Sequence, residues 1–173
     1  MHRSITHVHR LKEDALSIWI KFYELFKPLD RYIDFFLFQL PPTFRFSEEN
    51  LNRIKVFAES TGLGARMAIE FRDSSWFRSE TIEFLKRLGV TVVSIDAPIG
   101  RWIATSNDII YLRLHGSTEW YAYEYSDEEL LDIAKSVLKL KPKKVYIFFN
   151  NDHWMLENAR RMLQILSLEA SHT

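Results

Sequence analysis

Glu70-Phe71-Arg72-Asp73-Ser74-Ser75-Trp76 is the stretch that decides the fold prediction, and it follows directly on an apolar run, Met67–Ile69. Side chains of a β-strand alternate between two faces, so Glu70 and Arg72 share one face while Phe71 lies on the other. The pattern predicts a strand from Met67 to Arg72 with one apolar face and one face that ends in two charges.

A second stretch, Ile110–Gly116, repeats this pattern, because Tyr111, Arg113 and His115 alternate with three aliphatic residues. Two strands therefore finish in charged groups turned to one side. In parallel α/β proteins the carboxyl ends of strands hold the functional groups, since the following loops open there while the sheet keeps the side chains in place. The sequence predicts a functional site at this edge of the sheet.

The remaining chain predicts three more strands, and most intervening segments have apolar residues three and four apart, as amphipathic helices do. Ser47 and Ser126 are predicted helix N-caps, and Gly89 a helix end. The alternation of strands and helices predicts an α/β protein with a parallel sheet and one domain over residues 1–173. The polar face predicted for several strands is typical of a barrel interior. The five predicted strands are Phe35–Leu40, Met67–Arg72, Val90–Asp96, Ile110–His115 and Val145–Asn150.

Composition narrows the functional classes. The 173 residues are 47% hydrophobic, and Lys plus Arg balance Asp plus Glu at 23 each, so no overall field attracts nucleic acid or an anionic membrane. There is no cysteine, which excludes disulfides and thiolate chemistry. We expect a cytoplasmic protein without a membrane span, and a solvated loop, not a metal site, over the histidine-rich segment His2–Arg10.

Four motifs, in order along the chain, carry a family resemblance: Phe38–Phe44, Glu70–Trp76, Tyr111–Gly116 and Phe148–Asp152 with Asn158-Ala159. The chain resembles the YecE-like family, domain of unknown function 72, over essentially its whole length; Ser4–His7 and Leu11 resemble the segment after that family's third strand. The resemblance implies a TIM-type (β/α) barrel. The family's amino-terminal strands have no counterpart here, so we expect an incomplete barrel of about five parallel strands with flanking helices.

The predicted site combines arginines, carboxylates and one histidine. Arg72, Arg113 and His115 are expected to converge on one anion, because guanidinium groups match phosphate or carboxylate oxygens. Glu70 or Asp96 is a candidate general base, and His115 a candidate acid or base. The alternative is that these charges form buried ion pairs inside the barrel, with Asp96 close to Arg72 or Arg113.

Further ligand-binding candidates lie at the same strand ends. They are Gln39, Trp76, Asn150 and Asn151. The aromatic loop that follows Gly116, with Trp120 to Tyr125, is either a stacking platform for a ring or a cover over the barrel mouth. We expect no cofactor and no resident metal; the alternative is a zinc or manganese site on Glu70, Asp96, His115 and Asp152.

The function predicted from these residues is binding of an anionic, phosphate-bearing ligand, with hydrolase or lyase activity as an open question. The alternatives are metal-assisted phosphodiester chemistry on nucleic acid, a non-catalytic binding module and an inactive remnant. Because five strands cannot close a barrel of this type, we also expect an upstream polypeptide, a separate partner or self-association to complete it.

Overall fold

The computed structural model describes residues 3–170, with Ala170 described by its backbone alone. It contains six strands and five α-helices, joined by short π and 3₁₀ turns. The strands are β1 (Phe36–Gln39), β2 (Met67–Glu70), β3 (Thr91–Ala97), β4 (Gly100–Trp102), β5 (Ile109–Leu114) and β6 (Lys144–Phe149). The helices are α1 (Glu13–Phe26), α2 (Glu48–Thr61), α3 (Ser79–Leu88), α4 (Asp127–Lys139) and α5 (Met155–Ala170).

The helix boundaries follow the capping residues. The Ser47 hydroxyl accepts a hydrogen bond from the Asn50 amide at 3.2 Å, which begins α2. Ser126 and Glu129 form a full capping box at the start of α4. Gly89 ends α3 with φ +67°, a left-handed conformation that glycine adopts without strain. The predictions made from these three positions are confirmed, because each depends on local backbone geometry alone.

The amino-terminal segment differs from its prediction. Residues Ser4–Val8 form a π-helical turn, and Ile5 and Thr6 are almost fully buried, so the predicted solvated loop is wrong. Arg10 and Leu11 have positive φ values of 48° and 57° and reverse the chain, which brings Leu11 into the core. Burial of the apolar side chains explains the ordered turn. His2 lies outside the described residues.

The chain divides into two compact units, Met1–Val92 and Val93–Thr173. In the first, β2 pairs in parallel with β1 and with the beginning of β3. Helix α1 covers one face of β1, where the Trp19 ring lies 5.0 Å from Phe36 and 5.4 Å from Phe38, between centroids. Aromatic rings therefore form part of the contact between α1 and β1.

In the second unit, β5 pairs in parallel with β3 and β6. The short strand β4, which was not predicted, folds back antiparallel onto β3 after the turn at Pro98 and Ile99. Ile110, Leu112 and Leu114 of β5 pack against α4 and α5. Alternate residues of β5 thus enter an aliphatic core, as their spacing predicted.

These elements make an α/β fold of mostly parallel strands flanked by helices, the alternation expected of an incomplete TIM-type barrel. Within residues 3–170, no helix combines the length and apolarity needed to cross a bilayer.

Candidate functional site

The residues after β2 are held by Trp76. Its indole Nε1 donates a hydrogen bond to the Phe44 carbonyl at 2.7 Å, and its ring stacks on Phe71 with centroids 4.2 Å apart. The Ser75 hydroxyl accepts a hydrogen bond from the Phe46 amide at 2.9 Å. Trp76 is fully buried by these contacts. A ligand contact of Trp76 stays a prediction.

Arg72 lies just beyond the carboxyl end of β2 and is 6% exposed. Its Nε lies 2.5 Å from Oε1 of Glu70, a side chain with no exposure. Its Nη2 donates to Oε1 of Gln39 at 3.2 Å, and Gln39 is the residue of β1 paired with Glu70. The first unit therefore brings three of the predicted site residues together at neighbouring strand ends.

Arg113 occupies a similar position in the second unit. It is half-buried near the end of β5, and its Nε donates to Oδ1 of Asn150 at 3.1 Å. Asn150 follows β6, and its amide donates to the Leu114 carbonyl at 2.7 Å. A side-chain amide from the next strand thus orients this guanidinium, as Gln39 does for Arg72.

Asp96 lies on the other face of the sheet. Ile95 is the register partner of Arg113 and Asp96 that of Leu114, so Asp96 shares the face that packs against α4. The interpretation that put Asp96 on the face of Arg113 and His115 is therefore wrong. A register shift of one residue turns the side chains of a strand to the opposite face of the sheet relative to its neighbour. The register between two strands cannot be deduced from the sequence of one strand alone.

The ion pair of Asp96 is also different from the predicted one. Oδ1 accepts from Arg101 Nε at 3.0 Å and Oδ2 from the Ser117 hydroxyl at 2.8 Å. Arg101 also reaches Asp132 of α4 at 2.8 Å. Burial and the negative charge of Asp96 raise the pKa of Tyr125. Asp96 is 2% exposed and links β3, β4 and the loop after β5.

His115 is buried beneath the aromatic loop. The centroids of Trp120 and Tyr121 lie 5.6 Å and 5.7 Å from its ring, and the Tyr121 amide donates to its carbonyl at 2.7 Å. Tyr121 is 44% exposed, whereas Tyr125 has no exposure. The loop therefore covers His115 with some aromatic rings and buries others in the core.

Asn151 forms hydrogen bonds that hold the aromatic loop after Gly116 in place. Its Nδ2 donates to the Tyr123 carbonyl and to Oδ1 of Asn158, each at 2.7 Å. Asn158 in turn bonds both the amide and the carbonyl of Tyr125. Asn151 and Asn158 have no exposure, and their hydrogen bonds hold the aromatic loop in place. A ligand contact of Asn151 stays a prediction.

A metal centre finds no support in the part of the chain from residue 3 to 170, where no three His, Asp or Glu side chains are grouped to hold an ion. Convergence of Arg72, Arg113 and His115 on one anion stays a prediction. Sequence reasoning missed Arg101 and Ser117, the hydrogen-bond partners of Asp96, because neither belongs to a strand-end pattern.

A family model described as protein of unknown function DUF72 matches residues 1–173. Among solved structures, a DUF72 family protein from Thermotoga maritima is 32% identical, with a TM-score of 0.81 over 96% of this chain and 71% of that chain. A DUF72 family protein from Enterococcus faecalis is 24% identical, with a TM-score of 0.77 over 90% of this chain and 66% of that chain. No curated protein matches.

Proposed function

The chain belongs to the DUF72 family, and from this premise and the geometry above we propose that the carboxyl ends of its strands bind an anionic, phosphate-bearing ligand. The observation that carries the proposal is a repeated arrangement. In each unit an arginine at or just beyond a strand end, Arg72 or Arg113, donates to an amide oxygen of the neighbouring strand end, Gln39 or Asn150.

The amide oxygen of Gln39 or Asn150 is a neutral acceptor that orients the guanidinium, and Arg72 is in addition paired with the Glu70 carboxylate. A guanidinium carries five N–H donors in one plane, and two parallel donors of this fork match two oxygens of a phosphate. Rigid orientation also lowers the entropy lost when the ligand binds. These two properties favour anion recognition over a purely structural role for the two arginines.

The chemistry proposed for the bound ligand is acid–base. Glu70 and His115 are buried carboxyl and imidazole groups at the strand ends, and such groups transfer protons in hydrolysis or elimination. Asp96 has no part in this proposal, because it faces α4 and is held by Arg101. The second candidate is a non-catalytic binding module, favoured by the aromatic loop that covers His115. A cytoplasmic location is part of the proposal.

Removing either oriented arginine should weaken anion binding. Arg72→Gln and Arg113→Gln are each expected to reduce the affinity for inorganic phosphate or a phosphate monoester about tenfold or more, because a charge-assisted hydrogen bond contributes about 1.5–3 kcal/mol. Isothermal titration calorimetry measures this. Arg87→Gln, on the exposed surface of α3, is the matched control and should bind like the unchanged protein. Equal affinity in all four proteins would reject the proposal.

We also propose that the sheet is completed by association between chains. Among the strands of residues 3–170, β6 pairs with β5 alone, and Phe148 on it is 41% exposed. A groove beside β6 and α5 is lined by apolar residues that include Val145, Phe149 and Leu163. An exposed apolar strand edge is a template for pairing with another chain.

The association is tested by solution mass. The protein, with a chain mass of 20.6 kDa, is expected to form dimers or larger species in light scattering coupled to size-exclusion chromatography. Leu163→Glu, at a side chain that is 68% exposed, should shift it toward monomer, because a buried carboxylate is costly at an interface. Gln164→Glu adds the same charge at the next residue and should not. A stable monomer with a sharp, cooperative melt would contradict the proposal.

A further inference from the structure

Arg113 has an aromatic neighbour on the same face of the sheet. Strands β5 and β6 are parallel, and Phe148 is the register partner of Arg113. Register partners of adjacent parallel strands lie about 5 Å apart and turn their side chains to the same face. The Phe148 ring therefore lies beside the guanidinium proposed above to bind phosphate. We propose that the ligand of this site is a nucleoside monophosphate, with its phosphate on Arg113 and its base stacked on Phe148.

The Phe148 ring is exposed and supported by a second ring. The side chain is 41% exposed. Its ring lies 4.8 Å from that of Tyr111, between centroids, and the two planes are inclined by 30°. Tyr111 is 7% exposed and lies two residues before Arg113 in β5. Tyr111 thus supports the Phe148 ring, while the exposed part of that ring is accessible to a ligand.

The face that carries Phe148 is not the face of the aliphatic core. Val145, Ile147 and Phe149, the alternate residues of β6, pack against the core of the second unit. Phe148 therefore lies on the opposite face. The association proposed above uses the backbone edge of β6 and the groove beside Val145 and Phe149. The Phe148 ring is outside that groove and on the face that holds Arg113.

Aromatic rings also lie near the next residue of this face. His115 continues the alternation of β5, because its amide donates to the Asp96 carbonyl at 2.8 Å. Its side chain is therefore about 7 Å further along the same face than that of Arg113. Tyr121, in ring contact with His115, is 44% exposed and has φ 71°, a conformation that bulky residues rarely adopt. Such backbone strain clusters at ligand-binding sites.

The combination of a guanidinium and an exposed ring specifies the class of ligand. A guanidinium fork matches two phosphate oxygens, and a phenyl ring offers a surface on which any nucleobase stacks. Inorganic phosphate or a sugar phosphate would contact Arg113 and leave Phe148 in water. The protein has as many acidic as basic residues, 23 of each, so it lacks the excess positive charge that favours long nucleic acids. A single nucleotide therefore fits the site better than a polynucleotide.

The stacked base should add to the affinity provided by the phosphate. We expect AMP to bind about tenfold more tightly than ribose 5-phosphate, a factor typical of one base stacked on an aromatic side chain. Both probes carry a ribose and a 5′-phosphate, so the ratio of their affinities reports the base. Isothermal titration calorimetry at one pH and one salt concentration measures both.

Three variants test the assignment to Phe148. Phe148→Leu keeps an apolar side chain in β6 but removes the ring, and it should abolish the preference for AMP. Phe148→Tyr restores an aromatic surface and should restore the preference. Trp154→Leu is the matched control, because Trp154 is an aromatic residue of the same unit with a similar exposure of 43%. This control should prefer AMP like the unchanged protein.

A direct readout needs no variant. In the unchanged protein with bound AMP, NMR should show nuclear Overhauser effects between the base protons of AMP and the ring protons of Phe148. Their absence under saturating AMP would contradict the stacked arrangement, and this measurement decides the question if Phe148→Leu does not fold.

The inference rests on the proposed anion-binding function, and the outcomes separate the two. Equal affinities for AMP and ribose 5-phosphate, both lost in Arg113→Gln, would overturn the stacked base and keep the function. A preference for AMP that persists in Phe148→Leu would overturn the assignment of the ring. Absence of binding of phosphate, ribose 5-phosphate and AMP would overturn both the inference and the function.

Discussion

Replacing Glu70 with Gln is expected to lower the free energy of unfolding by about 3–5 kcal/mol, the cost of leaving a buried charge without its partner. Glu70 has no exposure and Arg72 is 6% exposed, so water compensates little of the guanidinium charge when the carboxylate is gone. Gln has nearly the same volume as Glu, so the loss reports charge and not packing. Urea unfolding followed by circular dichroism measures it.

Asp96→Asn is the matched comparison, because it also removes one carboxylate charge from a buried position. Its partner Arg101 is 30% exposed and keeps a second carboxylate, Asp132. We expect a smaller loss, about 1–2 kcal/mol, from the weakened hydrogen bonds of Arg101 and Ser117. If Asp96→Asn lowers the free energy of unfolding as much as Glu70→Gln or more, the burial of the partner arginine does not determine the loss of stability.

Strand-end residues were predicted well where only the alternation within one strand mattered. Glu70 and Arg72 come together as their parity requires, and the side-chain partners of Arg72 and Arg113 are polar groups at neighbouring strand ends. Asp96 shows the limit of this reasoning. Asp96 and Ser94 lie on the same face of β3, as predicted. Which residues of β5 share that face depends on the register between β3 and β5, and the sequence of one strand does not specify it.

The hydrogen bonds of Trp76 and Asn151 could not be predicted for a different reason. A Trp or Asn just after a strand is equally suited to a ligand contact and to a core hydrogen bond, because both residues combine a packing surface with a donor. Their donors reach backbone carbonyls of Phe44 and Tyr123, which lie 32 and 28 residues away along the chain. Local sequence carries no information on contacts of that range.

The amino-terminal turn was missed because it has no hydrophobic period. Helices α2, α3 and α4 have caps and repeating apolar positions, which predicted them without tertiary information. In Ser4–Val8 the buried residues Ile5 and Thr6 are adjacent, so neither a helical nor a strand period is visible. Burial of these two side chains by the rest of the unit accompanies the ordered turn, and such tertiary burial is seen only in the structure.

Gly116→Ala is expected to destabilise the protein by about 3–5 kcal/mol, because steric overlap and backbone strain add at this position. Gly116 follows β5 directly before the loop over His115, with φ +102°. A Cβ at Gly116 would lie 2.2 Å from the Glu119 carbonyl oxygen and 2.6 Å from Cβ of Tyr123. Neither atom is the far end of a flexible side chain, so the loop itself would have to move.

Gly62→Ala separates these two contributions. Gly62 also has positive φ, at +63°, but nothing lies within 4 Å of the position of an added Cβ, so only the backbone term of about 1 kcal/mol applies. Hydrogen exchange of the Gly116 and Tyr121 amides, which donate to the Tyr125 hydroxyl and the His115 carbonyl, should accelerate in Gly116→Ala and not in Gly62→Ala. Equal losses of stability in the two variants would show that the loop adjusts to the added methyl group, and that the cover over His115 is not held by close packing.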